Sequence, residues 1–289
     1  MGGVKMEKYL LRIMSHNLWK NDLNKPEWEA KGADCSAETR SKGVVRVYKE
    51  LEPHIIGCQE MSALMAEKIM CGCIDEGLKY ALLWGKDTPV LYRPDVFEVI
   101  DSDFSLYPDN IPDYEGVFNN SKTKSWCIAV MRVKESGKCF VFASTHLWWK
   151  SSNPNAKNYQ PNSDKARAYQ IRLLIERLEQ YRNKYSCPVV IVGDLNAGYD
   201  SLCLKAAFEC GYSHAHDIAT EYADEKVGLH YCFGDGYEEY YYDFPFERGI
   251  DHILVKGMEE HAVNCFKRYS PEYYFPLSDH SPVFIDVTI

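Results

Sequence analysis

Apolar and polar positions along this chain alternate with period two in many short blocks, and three longer stretches carry helical spacing instead. Tyr9–Asn17 alternates, Ile55–Glu60 is a short apolar run behind Pro53, and Phe140–Trp148 and Val189–Gly193 are rich in Val, Ile and Phe and end in polar residues. These read as buried strands. Further strands are predicted at Tyr80–Trp84, Val90–Arg93, Phe97–Asp101, Trp126–Val133, His252–Val255 and Val283–Thr288. Helical spacing marks Thr39–Leu51 and Ser62–Gly77, and Ser163 as N-cap opens a third helix that ends before Pro188. Its Ile171, Leu174, Ile175 and Leu178 fall on one face. Few helices among many strands do not fit a regular βαβ alternation. The expected fold class is therefore α/β: two packed mixed β-sheets flanked by helices, a four-layer sandwich.

Buried strands ordinarily give way to turn residues, yet here the apolar runs end in carboxylates, amides and imidazoles. The tips are Ser15-His16-Asn17, Gln59-Glu60, Ser144-Thr145-His146, Gly193-Asp194-Leu195-Asn196 and Gly249-Ile250-Asp251-His252, followed by Ser278-Asp279-His280. Together they supply carboxylates and an amide suited to a hard cation, plus histidines. Phosphate-ester hydrolysis needs such a set, because the anionic centre repels nucleophiles and the alkoxide is a poor leaving group. A divalent ion polarises the phosphoryl oxygen, a carboxylate or histidine takes the proton of the attacking water, and uncharged donors bind the developing charge.

A length of 289 residues admits one large domain or two small ones. The tips run from Asn17 to His280 with no linker or repeat between them, so a single domain over 1–289 is expected, with 1–8 as a flexible N-terminus. A hydrophobic fraction of 46% with 12 Phe, 21 Tyr and 6 Trp excludes wholesale disorder. No apolar run approaches the ~20 residues of a membrane span, and Met1–Met14 lacks a signal-peptide core. The eleven cysteines are scattered, and Cys71 and Cys73 lack zinc-site spacing, so the thiols read as reduced and the protein as cytoplasmic. The net charge of −9 gives no general positive coat for nucleic acid, which bears on which phosphate ester is bound.

The six tips, in this order, resemble the motifs of the endonuclease/exonuclease/phosphatase family, the DNase I-like fold, over nearly the whole chain: His16-Asn17-Leu18, Gln59-Glu60, Thr145-His146-Leu147, Gly193-Asp194-Leu195-Asn196, Ile250-Asp251-His252 and Ser278-Asp279-His280. The resemblance implies Glu60 as main Mg2+ ligand, assisted by Asn17 and Asp279, with Mn2+ able to substitute. It implies Asp194 orienting or deprotonating water, Asn196 bonding a phosphate oxygen, and His280, oriented by Asp251, facing the phosphate together with His146; the base is assigned jointly to the aspartate and histidine. Relatives often carry a glutamate that supports the first histidine; here Lys86 stands there, with Asp87 adjacent as a replacement through a one-residue shift.

Substrate contacts are expected from Trp19, Trp148 and Trp149, which can stack on a planar group, from Arg167, and from His230 in a loop where relatives bind substrate. Arg40, Arg167 and Gln170 have a plainer reading as ties between helix and sheet. The expected function is a Mg2+-dependent phosphodiesterase acting on nucleic acid or nucleotides, by in-line attack of water. The alternative is a phosphatase or phosphodiesterase of a small molecule, inositol phosphate or lipid. A rival of another class is a non-catalytic binding module on the same fold, which calorimetry with Mg2+ and Mn2+ distinguishes. No obligate protein partner is evident.

Overall fold

The computed structural model describes residues 9–20, 29–30, 32–222, 249–269, 271–274 and 276–289. Residues 1–8 and His230 lie outside them. Thirteen strands form two sheets among the described residues. The first runs β10-β12-β13-β1-β2-β4-β3, built from Glu221–Tyr222 (β10), Val263–Arg268 (β12), Val283–Thr288 (β13), Leu10–Asn17 (β1), Ile55–Gln59 (β2), Val90–Tyr92 (β4) and Ala81–Leu83 (β3). The second runs β5-β6-β7-β8-β11-β9, built from Phe97–Leu106 (β5), Ser125–Val133 (β6), Cys139–His146 (β7), Val189–Asp194 (β8), Asp251–Lys256 (β11) and Ser213–His214 (β9). Both are mixed: β1 pairs parallel with β2 and antiparallel with β13, and β7 pairs parallel with β8 and antiparallel with β6.

Strand parity decides what each face meets. Leu11 and Ile13 of β1, Ile55 of β2, Phe140 and Phe142 of β7, Val190 and Val192 of β8, and Ile253 and Val255 of β11 all point between the sheets into one apolar core. The other faces carry the helices. Met14, Ile56 and Cys58 pack against α1 (Ala37–Leu51) and α2 (Ala63–Asp75) through Val44, Tyr48, Met65 and Ile69. Ile128, Val141 and Ile191 pack against α3 (Ser163–Tyr185) and α4 (Leu202–Glu209) through Ile171, Leu174 and Leu204. This is the α/β/β/α sandwich the pattern predicts.

Ser62 caps α2, its hydroxyl accepting from Met65 N. The third helix starts differently from expectation. Asn162, in the left-handed region at φ 64°, precedes it, while Ser163 donates to Gln160 O and the hydroxyl of Ser152 accepts from Asp164 N at 2.8 Å. Ser163 is thus the first residue of the helix and not its cap, and the distant Ser152 satisfies one of the free N–H groups of the first turn. Among the described residues, no helix is long and apolar enough to cross a membrane.

The two sheets and their strands approach closely at two glycines below the rim. A Cβ on Gly57 would overlap Val192, and one on Gly193 would overlap the backbone oxygen of Thr145. A methyl side chain can turn aside but a ladder carbonyl cannot. Gly193→Ala is expected to cost about 3 kcal/mol, the scale of overpacking in a tight interior. Urea unfolding checks it; an unchanged midpoint would show that the strands separate freely.

Candidate active site

The same parity that buries the core delivers polar side chains to one rim. Following the inward positions upward gives Ser15 then Asn17 on β1, Gln59 on β2, Ser144 then His146 on β7, and Asp194 on β8; β11, antiparallel to β8, begins with Asp251 opposite Asp194. The first polar tier is neutral and seals the core. Ser15 donates to Gln59 Oε1 at 3.3 Å, Gln59 Nε2 donates to Ser144 Oγ at 3.2 Å, and Ser144 donates to Cys58 O at 2.9 Å. Above it stand the charged groups.

Three of these strands then leave the rim through a left-handed residue: Trp19 (φ 48°) after β1, Glu60 (φ 56°) after β2, Asn196 (φ 49°) after β8. Non-glycine residues there cost on the order of 1 kcal/mol or more, a strain that collects at functional turns. Arg40, 1% exposed on α1, ties the loop after β1 to the segment before β13 by donating to the carbonyls of Leu18, Trp19 and Leu277.

Asp194 lies at the centre. Its Oδ1 accepts from Asn196 N at 2.8 Å and its Oδ2 from Asn17 Nδ2 at 3.0 Å; His146 Nε2 is 3.4 Å and His280 Nε2 3.9 Å away. Burial opposes ionisation, yet the bond to His146 and the nearby His146, His280 and Lys124 outweigh it and hold this carboxyl well below the usual range. His280 Nδ1 meets Asp251 Oδ2 at 2.7 Å. Burial works against its charge as well, but Asp251 and Asp194 prevail and hold the imidazolium well above its ordinary value. Asp251 Oδ1 is buried and finds no hydrogen-bond donor among the described residues.

His146 is 3.5 Å from Asp87 through Nδ1. Asp87 is the carboxylate that faces this nitrogen, as an ion-pair contact without a hydrogen bond, and Lys86 Nζ turns away and donates to Lys122 O. On the other ring nitrogen stands a residue that sequence reasoning missed. Lys124 Nζ approaches His146 Nε2 at 2.6 Å, with the lysine 4% exposed. Asn119 presents it, donating to Lys124 O at 2.9 Å and accepting from Lys124 N at 2.9 Å. Burial pushes the ammonium down from its ordinary value, resisted by Glu60, Asp194 and Asp87. Burial and Lys124 oppose a charge on His146, but Asp194 and Asp87 overcome them and raise it. The two nitrogens thus compete for one proton. Lys124→Met should lower kcat/KM about 10²-fold, the scale of losing one preorganised donor, and move the His146 limb of the pH–rate profile upward because a neighbouring cation is gone. A profile that stays in place would remove Lys124 from the site.

The donor set fits a hard divalent cation. Glu60, His146 and Asp194 offer one ligand atom each within 4.8 Å of one another, and so do Asp194, Asp251 and His280. Three carboxylates converge here, and Asp251 Oδ1 is buried without a hydrogen bond among the described residues, which suits a hard cation. Among the described residues Glu60 Oε2 accepts a backbone bond from Lys20 N at 3.1 Å, and Asn17 Oδ1 accepts from Trp19 N at 2.9 Å. Asp279 joins neither group; its Oδ1 is 3.9 Å from His280 Nε2.

Three expected substrate contacts are structural instead. Trp148 is fully buried against Phe118, and Trp19, 3% exposed, lies under the Arg40 guanidinium. Arg167 is 4% exposed and donates to the carbonyls of Trp148 and Lys150, holding the loop between β7 and α3. Their rings and guanidinium are consumed by packing and carbonyl capping. Trp149 is 45% exposed, with Lys150 Nζ 5.7 Å from its ring.

The fold recurs in known structures. An endonuclease/exonuclease/phosphatase of Bacteroides vulgatus is 22% identical, with 97% of this chain and 99% of that one covered and a TM-score of 0.71. The mannosyl-6-phosphatase of Bacteroides thetaiotaomicron is 19% identical (96% and 99% covered, TM-score 0.68), and D. rerio TDP2, complexed with single-strand DNA product, is 13% identical (96% and 98%, 0.63). No curated protein matches the chain in sequence. The sequence pattern of the Endonuclease/Exonuclease/phosphatase family matches residues 14–280, which takes in all six rim motifs, and the chain belongs to that family of phosphoester hydrolases.

Proposed function

We propose that this chain is a Mg2+-dependent phosphoesterase, one domain, that cleaves its substrate by in-line attack of water. The observation that carries the reading is the meeting of Asn17, Glu60, His146, Asp194, Asp251 and His280 at one rim, with carboxylate and imidazole atoms inside 4.8 Å. Glu60 would be the main holder of the cation, assisted by Asn17 and Asp279 from the same rim, and Mn2+ can replace Mg2+ in such an oxygen-rich set. The cation, when bound, polarises the phosphoryl oxygen and stabilises the departing oxygen.

The remaining work falls to side chains of the rim. Asp194, kept ionised, takes the proton of the attacking water through Oδ2, while the bond from Asn196 N holds Oδ1 in place. His280, kept protonated by Asp251, donates from Nε2 to the charge that grows on phosphorus oxygens, and His146 faces the same space. Asn196 Nδ2 gives one hydrogen to Leu147 O at 3.1 Å and retains a second for a phosphate oxygen.

For the substrate, a phosphodiester of nucleic acid or nucleotide type is supported by exposed Trp149, a stacking surface with a lysine beside it. A compact ester such as a sugar phosphate is the second reading, supported by the net charge of −9 and by the fold shared with a mannosyl-6-phosphatase. Salt separates them, since affinity for a polynucleotide falls steeply with ionic strength and that for a small ester does not. Hydrolysis of single-stranded DNA and RNA, nucleotides, sugar phosphates, inositol phosphates and sphingomyelin is to be measured with Mg2+ at low and high salt. Silence across the panel, with no heat of Mg2+ binding, would favour a binding module.

A further inference from the structure

At the foot of the sandwich, opposite the rim, two cysteines line one cavity. Cys139 opens β7 and Cys187 lies two residues before β8. The strands run parallel with Val141 opposite Val189, so the same register places Cys139 beside Cys187 at the ~4.8 Å strand spacing. Parity puts both side chains on the α3 face, where both pack in one cluster. That separation falls within the Cα range of a disulfide. Both sulfurs are free, Cys139 half-buried and Cys187 9% exposed. Both line one cavity of about 410 Å³, together with Tyr185, Met258 and Ile289.

The surroundings of the two thiols differ. Arg132 stands opposite Cys139 on β6, its guanidinium donating to Glu98. Burial pushes the Cys187 thiol up to about 11, and Cys139 adds to the effect. Cys139, the more exposed of the two and faced by Arg132 across the ladder, is the thiol that an oxidant reaches first.

We propose that Cys139 and Cys187 are a redox-active pair that a hydroperoxide converts to a disulfide linking β7 and β8. Cys139 sulfur attacks the peroxide as the thiol gives up its proton, the O–O bond breaks, sulfur loses two electrons to become sulfenic acid, and the departing oxygen takes up that proton and leaves as water or an alcohol. Cys187 sulfur then attacks the Cys139 sulfur: the S–S bond forms, the S–O bond breaks, and hydroxide departs with the Cys187 proton as water.

Hydrogen peroxide titration, alkylation of the remaining thiols and non-reducing peptide mass spectrometry test this on the whole chain. Cys139 should lose its thiol on the order of tenfold faster than Cys71, which is exposed on α2, and a Cys139–Cys187 cross-linked peptide should appear and vanish with dithiothreitol. In Cys187→Ser the reaction should stop at a Cys139 sulfenic acid trapped by dimedone, and in Cys139→Ser Cys187 should stay reduced. On the unaltered chain, phenylarsine oxide should protect both thiols from alkylation together. Oxidation of Cys71 ahead of Cys139, sulfenic acid that accumulates without cross-link in the unaltered chain, or failure of the arsenical to protect the pair overturns the proposal.

Discussion

Asp194→Asn is expected to lower kcat for the chain's phosphoester substrate by about 10³-fold while leaving the fold in place. The amide has the shape of the carboxylate but cannot accept a proton from water, and every group that holds Asp194 below the usual carboxyl range then faces a neutral partner. His146 and His280 both lose a charge that favours their protonated forms, so their pKa values fall with the substitution. The sign has a kinetic consequence. With Asp194 held below the usual carboxyl range and His280 above its ordinary value, the parent chain should show no acid limb from Asp194, and an alkaline limb set by His280 should lie above the ordinary histidine range. In the variant the residual activity should decline at lower pH than in the parent. Single-turnover rates across pH, with circular dichroism as the check on folding, decide the matter. A fully active variant would take Asp194 out of the chemistry.

His280→Ala should cost less, because Asp194 remains. Its loss also leaves Asp251 buried without its 2.7 Å partner, so the variant should melt lower as well as turn over more slowly.

The legible parts of this molecule are those where a local pattern is broken by chemistry. An apolar run that ends in Asp194 or His146 breaks the rule that buried strands end in turn residues, and strand parity then carries the break to one rim. Lys124 was illegible because Ser121-Lys122-Thr123-Lys124 has the composition of a solvated loop; its burial comes from Asn119, five residues away, and from Tyr107 N bonding Lys124 O at 2.9 Å. Trp148 and Arg167 misled for the converse reason. A tryptophan just beyond a catalytic tip looks like a ligand contact, but Gln170 Oε1 accepts from Trp148 N at 2.9 Å and draws that turn under the helix. Contacts between residues close in sequence can be read from it, whereas those made by α3 on the loop before it depend on packing. The strand Val263–Arg268 went unpredicted because its Asn264, Lys267 and Arg268 dilute the alternation at an edge covered only by the two-residue β10.

Glu60→Gln should abolish the stabilisation that Mg2+ confers and reduce Mg2+-supported turnover by at least about two orders of magnitude. The residue stands in a left-handed turn immediately after β2, a conformation that aims one carboxylate at His146 and Asp194 and is held by a backbone bond from Lys20 N. Glutamine fits the same turn and can accept the same bond, so the loop should persist. What it lacks is the negative charge a hard cation needs. A ligand that binds only the folded state raises stability by about 2.7 kcal/mol at a hundredfold excess over its Kd. The parent chain should therefore melt higher as Mg2+ is added and return to its starting value with chelator, whereas the glutamine variant should melt at one temperature throughout. The same comparison separates Glu60 from Asp279, which stands beside His280 and joins neither group of clustered ligand atoms. Asp279→Asn should retain part of the Mg2+ shift. If the glutamine variant keeps the whole shift and the asparagine variant loses it, the cation belongs with Asp279, and the direction of attack on phosphorus must be redrawn around that side of the rim.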